Sequence, residues 1–198
     1  MAPSSETLTA ERILEATEEV LRRHGPAKAT VVDVARALGV SHGSVYRHFR
    51  TKAALREAVT KRWLDRTSLE LAGIAAERDR DPEQRLRAWL RSLFDAKRRK
   101  AGQDPELFAT YMVLTRESGQ AVPEHIADLT AQLTDIVRAG LDAGTFTASD
   151  PAVTARAVFH ATGRFHDPCY AEEWAAPGVE AEFEALVDLV ARGLRAGH

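Results

Sequence analysis

Apolar residues recur at intervals of three and four along almost the whole chain, which is the spacing of one face of an α-helix. No long run alternates between apolar and polar residues, and the stretch Thr30-Val31-Val32 is too short for a strand. Three of the helical patterns follow an Asp-Pro pair, in which Asp caps the helix and Pro fits its first turn: Asp81-Pro82, Asp104-Pro105 and Asp150-Pro151. The pattern predicts an all-α protein of about nine helices.

The ends of the predicted helices are marked by capping residues and glycines. Thr9 is placed to cap the first helix, and Gly25-Pro26 to end it. Pro168 and Pro177 predict a loop over residues His166–Gly178. The predicted helices cover about Ala10–His24, Thr30–Gly39, Ser41–His48 and Thr51–Arg78, begin again at Pro82, Pro105, about Val122 and Pro151, and end with Val179–Arg195.

The segment from Thr30 to Phe49 has the pattern of two short helices joined by a sharp turn. Val34, Ala35 and Leu38 give the first helix an apolar face, and Gly39 tolerates the positive φ that the turn requires. Ser41 is placed to cap the second helix, while Val40, Val45 and Phe49 are placed to hold it on the core. A helix with one anchored face and one free polar face fits the major groove of DNA.

The free face of that second helix carries small, aromatic and basic side chains. His42, Ser44 and Arg47 are candidates for reading base edges, and Gly43 lets the backbone approach the groove. Candidates for phosphate contacts that fix the register are Thr30, Tyr46, His48 and Lys52. The alternative at this point is an ordinary solvated surface helix, because short helix–glycine–helix patterns are common.

Charge and composition narrow the choice of partner. Residues 1–63 carry 11 Lys and Arg against 7 Asp and Glu, a net +4, while the rest carries 16 against 22, a net −6. A basic N-terminal part favours a polyanionic partner. Cys169 is the one cysteine of the chain, Met1–Thr9 lacks the pattern of a signal peptide, and no apolar run is long enough to span a bilayer. We expect a cytoplasmic protein without a cofactor.

The residues of the helix-turn-helix segment closely resemble the TetR/AcrR family of bacterial repressors. The resemblance covers about residues 10–60 and rests on Thr30, Val34, Ala35, Leu38, Gly39, Val40, Ser41, Gly43, Ser44, Val45, Tyr46, His48, Phe49, Lys52 and Leu55. It implies a homodimer that binds operator DNA as a repressor and releases it when a small effector binds. It also implies that the last two helices pair between subunits and that the middle helices enclose the effector.

These expectations assign residues 1–52 to DNA binding and 53–198 to effector binding and dimerisation. The last helix has a continuous apolar stripe at helical spacing, which predicts a dimer interface of Phe183, Leu186, Val187, Val190 and Leu194. Aromatic and apolar residues of the middle helices, with two polar neighbours, predict an effector pocket lined by Trp89, Leu93, Phe108, Tyr111, Met112, Phe159, His160 and Arg164.

Two other classes of protein are weighed against an effector-gated repressor. His160, His166 and Cys169 offer imidazole and sulfur ligands, so a metal-responsive regulator of the same fold is an alternative. Their spacing matches no strong zinc signature and no fourth ligand is evident, so no metal is expected. A small helical enzyme is disfavoured, because no acid partner or oxyanion motif accompanies the Cys/His pair.

Overall fold

The computed structural model describes residues 7–195, so most of the segment Met1–Thr9, for which no signal peptide is predicted, lies outside the described residues. The described chain forms nine α-helices, two 3₁₀ helices and one isolated β-bridge, between Phe146 and Arg195. The all-α prediction is confirmed. The α-helices are α1 (Ala10–Lys28), α2 (Val31–Ala37), α3 (His42–His48), α4 (Lys52–Ala75), α5 (Pro82–Gln103), α6 (Pro105–Glu117), α7 (Ala121–Asp142), α8 (Pro151–Ala161) and α9 (Val179–Leu194).

Thr9, Asp81 and Asp150 make the capping hydrogen bonds that the sequence predicts for them. Thr9 Oγ1 accepts from the amide of Arg12 at 3.3 Å at the start of α1. Asp81 and Asp150 each accept from two amides in the first turns of α5 and α8. Gly25 has a φ of 69° inside the range of α1, so the regular helix is interrupted where the sequence predicts its end.

The prediction of a loop over His166–Gly178 is wrong for most of the segment. Residues Pro168–Ala175 form a 3₁₀ helix, and Gly163–Phe165 form another just before it. Asp167 accepts from the amide of Cys169 at 3.0 Å, so this Asp-Pro pair starts a helix as the other pairs do. Trp174 is 2% exposed and donates from Nε1 to the carbonyl of Arg164 at 2.8 Å, which fixes the segment in place.

The chain divides into two compact units. One unit, here called the head, contains the described residues up to Leu64 together with Pro105–Val122, so that α6 packs on α1. Trp63 stacks on Tyr111 with ring centroids 4.4 Å apart. Glu18 accepts from the hydroxyl of Tyr111 and from the guanidinium of Arg62, both at 2.8 Å. These contacts join α1, α4 and α6 into one support for the helix-turn-helix.

The second unit, here called the body, contains residues Asp65–Asp104 and the chain from Pro123 onward. Its core includes the rings of Phe94, Phe165 and Phe183, with centroids 4.9–5.2 Å apart. Arg91 lies over the ring of Phe183 at 4.3 Å and pairs with Glu180 at 2.6 Å, so cation–π and ionic contacts hold α9 on α5. No helix in the described range is both long and apolar enough to span a membrane.

Candidate nucleic-acid interface

The first short helix of the motif begins with a complete capping box. Thr30 Oγ1 accepts from the amide of Asp33 at 3.2 Å, and Asp33 Oδ2 accepts from the amide of Thr30 at 3.2 Å. The Thr30 hydroxyl also donates to Asp33 Oδ2 at 2.6 Å, and this hydrogen bond lowers the pKa of Asp33. The hydroxyl of Thr30 is therefore engaged in the cap, and its role within the chain is to fix the start of α2.

The turn between α2 and α3 depends on Gly39, whose φ of 66° is strained for other residues. The amide of Gly39 donates to the carbonyl of Arg36 at 3.1 Å, and the amide of Val40 donates to the carbonyl of Ala35 at 3.0 Å. These hydrogen bonds satisfy carbonyls at the end of α2 and direct the chain into α3.

Helix α3 is anchored on the core by one side only. Val45 is fully buried in the same cluster as Val34 and Ala35, and Val40 and Phe49 pack against that cluster from either end of α3. The amide of Phe49 donates to the carbonyl of Val45 at 3.0 Å and closes the helix. The predicted division of α3 into a scaffold side and a free side therefore agrees with its burial.

The opposite side of α3 presents the side chains that the sequence proposes for DNA contacts. His42, Gly43, Tyr46, Arg47 and His48 are exposed and Ser44 is partly buried, while Lys52 is exposed at the first residue of α4. The rings of His42 and Tyr46 meet edge to face with centroids 6.3 Å apart. The side of α3 turned away from the core thus combines aromatic, hydroxyl and cationic groups.

A chain of hydrogen bonds runs along this exposed face. Ser41 Oγ accepts from the amide of Ser44 at 3.2 Å, and the two serine hydroxyls lie 3.0 Å apart. Arg47 Nη2 donates to Ser44 Oγ at 3.1 Å. The guanidinium of Arg47 is therefore oriented by the cap of its own helix, a contact that the sequence analysis did not predict.

This geometry is accompanied by matches to family models over most of the chain. Residues 13–59 match the model described as bacterial regulatory proteins, tetR family. Residues 82–187 match the model of the tetracyclin repressor-like C-terminal domain. The chain belongs to the TetR family. It is a DNA-binding transcriptional regulator, as the resemblance in the helix-turn-helix segment implied.

Named relatives of this TetR-family chain are also regulators. It is 29% identical over 155 residues to the HTH-type transcriptional regulator TtgR of Pseudomonas putida, covering 73% of each chain. Among solved structures, SmeT, the repressor of the Stenotrophomonas maltophilia multidrug efflux pump SmeDEF, has a TM-score of 0.68 at 20% identity, over 96% of this chain and 92% of SmeT. A TetR regulator from Haloarcula marismortui has a TM-score of 0.70 at 22% identity, over 94% and 98%. These two structures confirm the fold.

The residues predicted for the effector pocket of this TetR-family regulator are spread over both units. Phe108, Tyr111 and Met112 lie on α6 in the head, while the body contains Trp89, Leu93, Phe159, His160 and Arg164. His160 is exposed, and Arg164 is exposed and paired with Glu173 and Glu182 at 2.8 and 2.7 Å. The role of Arg164 as an anion-binding group in a pocket is therefore corrected, because its charge is already neutralised at the surface.

A cleft of about 690 Å³ in the body is lined by residues outside the predicted set. Its wall includes the buried side chain of Arg85, which lies four residues before Trp89 and eight before Leu93 on the inward stripe of α5. A charged residue on an apolar stripe was the signal in the sequence that could have identified this position. The remaining lining residues are Ala72, Ala75, Ala76, Arg78, Gln132, Asp135, Arg138, Ala139, Asp142 and Ala143.

The three candidate metal ligands do not form a site in the structure. His166 is buried and its Nε2 lies 2.9 Å from the carbonyl of Phe159, whereas His160 and Cys169 are exposed. Burial lowers the pKa of His166 to about 4, while the hydrogen bond to Phe159 opposes the shift. Within residues 7–195, no three His, Cys, Asp or Glu side chains are grouped to hold a metal ion. The metal-responsive alternative has no support from these residues.

The predicted dimer interface is corrected by the burial of α9. Phe183, Val187 and Leu194 are at most 8% exposed, so this side of α9 packs inside its own chain. Leu186 and Val190 are partly buried on the flank of this stripe. Leu189, which was not predicted, is 61% exposed on the same flank, and Val153 on α8 is 53% exposed. The free apolar surface of α9 therefore lies to one side of the predicted stripe.

Proposed function

We propose that this chain is a cytoplasmic, non-enzymatic repressor that binds a two-fold symmetric operator as a homodimer and leaves it when a small organic effector binds. The observation that carries the proposal is the exposed polar face of α3, opposite the buried Val45. Arg47, His42 and Ser44 are assigned to base edges, and Tyr46, His48 and Lys52 to phosphates. Two such helices in a dimer meet half-sites about 34–36 Å apart, or a multiple of that spacing.

The DNA contacts are tested by combining Tyr46→Ala with Lys52→Ala. Each lost phosphate contact removes about 0.9 from the slope of log affinity against log salt, so two Lys52 side chains per dimer predict a decrease of about 2. Gel-shift titrations at four salt concentrations measure that slope. Arg99→Ala is the matched control, because Arg99 is a surface cation of the body that pairs with Glu70. An unchanged slope in the double variant, or an equal change in the control, contradicts the assignment.

The dimer is assigned to the flank of α9 that carries Leu186, Leu189 and Val190, together with Val153 of α8. The exposed apolar side chains of Leu189 and Val153 support this face, and an isologous contact suits a two-fold axis. We expect Leu189→Glu to give monomers in light scattering, because it buries a charge against an apolar surface. Leu69→Glu makes the same change at a leucine that is 73% exposed on α4, and it should leave the dimer intact. A dimeric Leu189→Glu protein contradicts the assignment.

Effector control is supported by the family and by a relative. A structure of SmeT in complex with triclosan has a TM-score of 0.65 to this chain at 20% identity, over 94% of this chain and 91% of SmeT. In the proposed mechanism, the effector favours a conformer whose two α3 helices no longer match both half-sites. Of the predicted pocket, the apolar members that lie in the body, Trp89, Leu93 and Phe159, stay in the proposal as its inner wall. Loss of a gel shift on adding an effector tests this part.

A further inference from the structure

The guanidinium of Arg85 lies inside the body without a compensating negative charge among its described partners. The side chain is 3% exposed. Its Nη1 donates to the carbonyls of Ala75 and Glu77 at 3.5 and 3.4 Å, which are long hydrogen bonds to neutral acceptors. Its Nε is buried and has no hydrogen-bond partner among the described residues. A buried cation in this state is costly, and it is stabilised by an anion that approaches it.

The cleft beside Arg85 has the size and lining of a site for a small organic molecule. Its volume of about 690 Å³ is within the range of about 300–1,000 Å³ that ligand pockets occupy. Five alanines supply apolar wall, and Gln132 is fixed by hydrogen bonds from Trp89 Nε1 at 2.9 Å and to the carbonyl of Ser68 at 2.9 Å. The lining also contains three arginines and two aspartates, of which Asp135 is already paired with Arg138 at 2.8 Å.

We propose that this cleft binds a small organic carboxylate, with its carboxyl group on Arg85 and its apolar part against the alanines of α4 and α7. The Nε–Nη2 edge of a guanidinium presents two parallel donors that match the two oxygens of a carboxylate. An inorganic anion uses the charge alone and leaves the alanine wall uncovered. A cation is repelled, because the lining charges sum to a positive value.

Binding has a structural consequence at the end of α4. Because Nε is covered by protein atoms, the guanidinium must turn to meet the carboxylate, and side-chain rotations of this kind are common on binding. The turn releases the weak contacts of Nη1 to Ala75, the last residue of α4, and to Glu77 just beyond it. Occupancy of the cleft therefore alters how the last turn of α4 is held. This inference rests on the effector-controlled function proposed above.

The test compares carboxylates with uncharged molecules of the same shape. Octanoate and benzoate are titrated into the intact protein by calorimetry, with octanamide, benzamide and inorganic phosphate at equal ionic strength as controls. We expect saturable binding of at least one carboxylate, at least about tenfold tighter than its amide, because the charged hydrogen bonds are lost in the amide. Equal binding of acid and amide, binding by phosphate that matches the carboxylates, or no carboxylate binding overturns the proposal.

Variants locate the site. Arg85→Gln should weaken carboxylate binding at least about tenfold, and Arg85→Lys should restore part of it because it keeps the charge without the two-donor edge. Arg138→Gln is the matched control, since it removes an arginine from the same lining that is already paired. Equal binding by Arg85→Gln and the parent protein overturns the assignment. Gel shifts on the same samples separate the two proposals: a protein that binds operator but no carboxylate contradicts only this inference.

Discussion

Replacing Glu57 with glutamine is predicted to destabilise the head measurably. The carboxylate of Glu57, on α4, accepts from Ser118 Oγ at 2.9 Å and from the amides of Gly119, Gln120 and Ala121 at 3.2, 2.9 and 2.6 Å. These amides stand at the start of α7, where they have no partners within the helix. Burial alone raises the pKa of Glu57, but these hydrogen bonds outweigh it and the pKa is lowered. The folded state therefore favours the charged form.

The magnitude follows from the loss of the charge. A hydrogen bond to a charged group contributes about 1.5–3 kcal/mol, and an anion at a helix N-terminus a further 0.3–1 kcal/mol. Since glutamine keeps one acceptor oxygen, we expect a loss of about 2 kcal/mol. That loss corresponds to a decrease of about 4–8 °C in melting temperature for a chain of this size.

The assay is thermal unfolding followed by circular dichroism at pH 7 and at pH 4. Because the pKa is lowered in the folded state, the contribution of Glu57 is present above the unfolded value of 4.5 and is lost as the pH falls through the folded value. The difference between the parent protein and Glu57→Gln should therefore shrink at pH 4. Glu70→Gln, which makes the same change at a surface carboxylate paired with Arg99, is the control. Equal melting temperatures for Glu57→Gln and Glu70→Gln at pH 7 refute the reasoning.

Two further predictions concern the body. Burial lowers the pKa of His166 to about 4, so the folded state favours the neutral imidazole. The contribution of this residue to the free energy of unfolding is therefore fully present above the unfolded pKa of 6.5, and roughly 3 kcal/mol is lost as the pH decreases toward 4. Urea unfolding at stepped pH measures this loss, and His166→Phe should flatten it; an unchanged profile in that variant contradicts the prediction. Gly140→Ala places a Cβ 2.0 Å from Phe146, so we expect a loss of about 1–3 kcal/mol. Gly73→Ala on α4 meets no neighbour and should not destabilise; equal effects refute the argument.

The parts of the fold that depend on local chemistry were predictable from the sequence. Thr9, Thr30, Ser41, Asp81 and Asp150 act as caps because their short polar side chains reach amides two or three residues ahead. The helix-turn-helix combines several such local signals with a buried residue every three or four positions. For that reason its scaffold residues and its exposed face could be separated without a structure.

Features that depend on contacts distant in sequence were predicted less well. The 3₁₀ helix at Pro168–Ala175 is held by Trp174, whose partner Arg164 lies ten residues earlier. Periodicity identifies the apolar stripe of α9, but it does not tell an inward stripe from an interface, so Phe183 and Val187 were assigned to the wrong side. Arg85 was missed because a charged residue is normally counted with the solvent-facing positions.

The hydrogen bonds from the amide of Ser44 to Ser41 and from the guanidinium of Arg47 to Ser44 have a consequence for the energetics of recognition. A free arginine side chain samples many rotamers, and a complex that fixes it loses that freedom at a cost of about 0.5–1.5 kcal/mol. In this chain the cap of α3 already restricts Arg47 before DNA arrives. Under the proposed assignment of Arg47 to base edges, part of the conformational entropy of binding is already lost during folding, and Ser41 and Ser44 contribute to operator affinity through preorganisation.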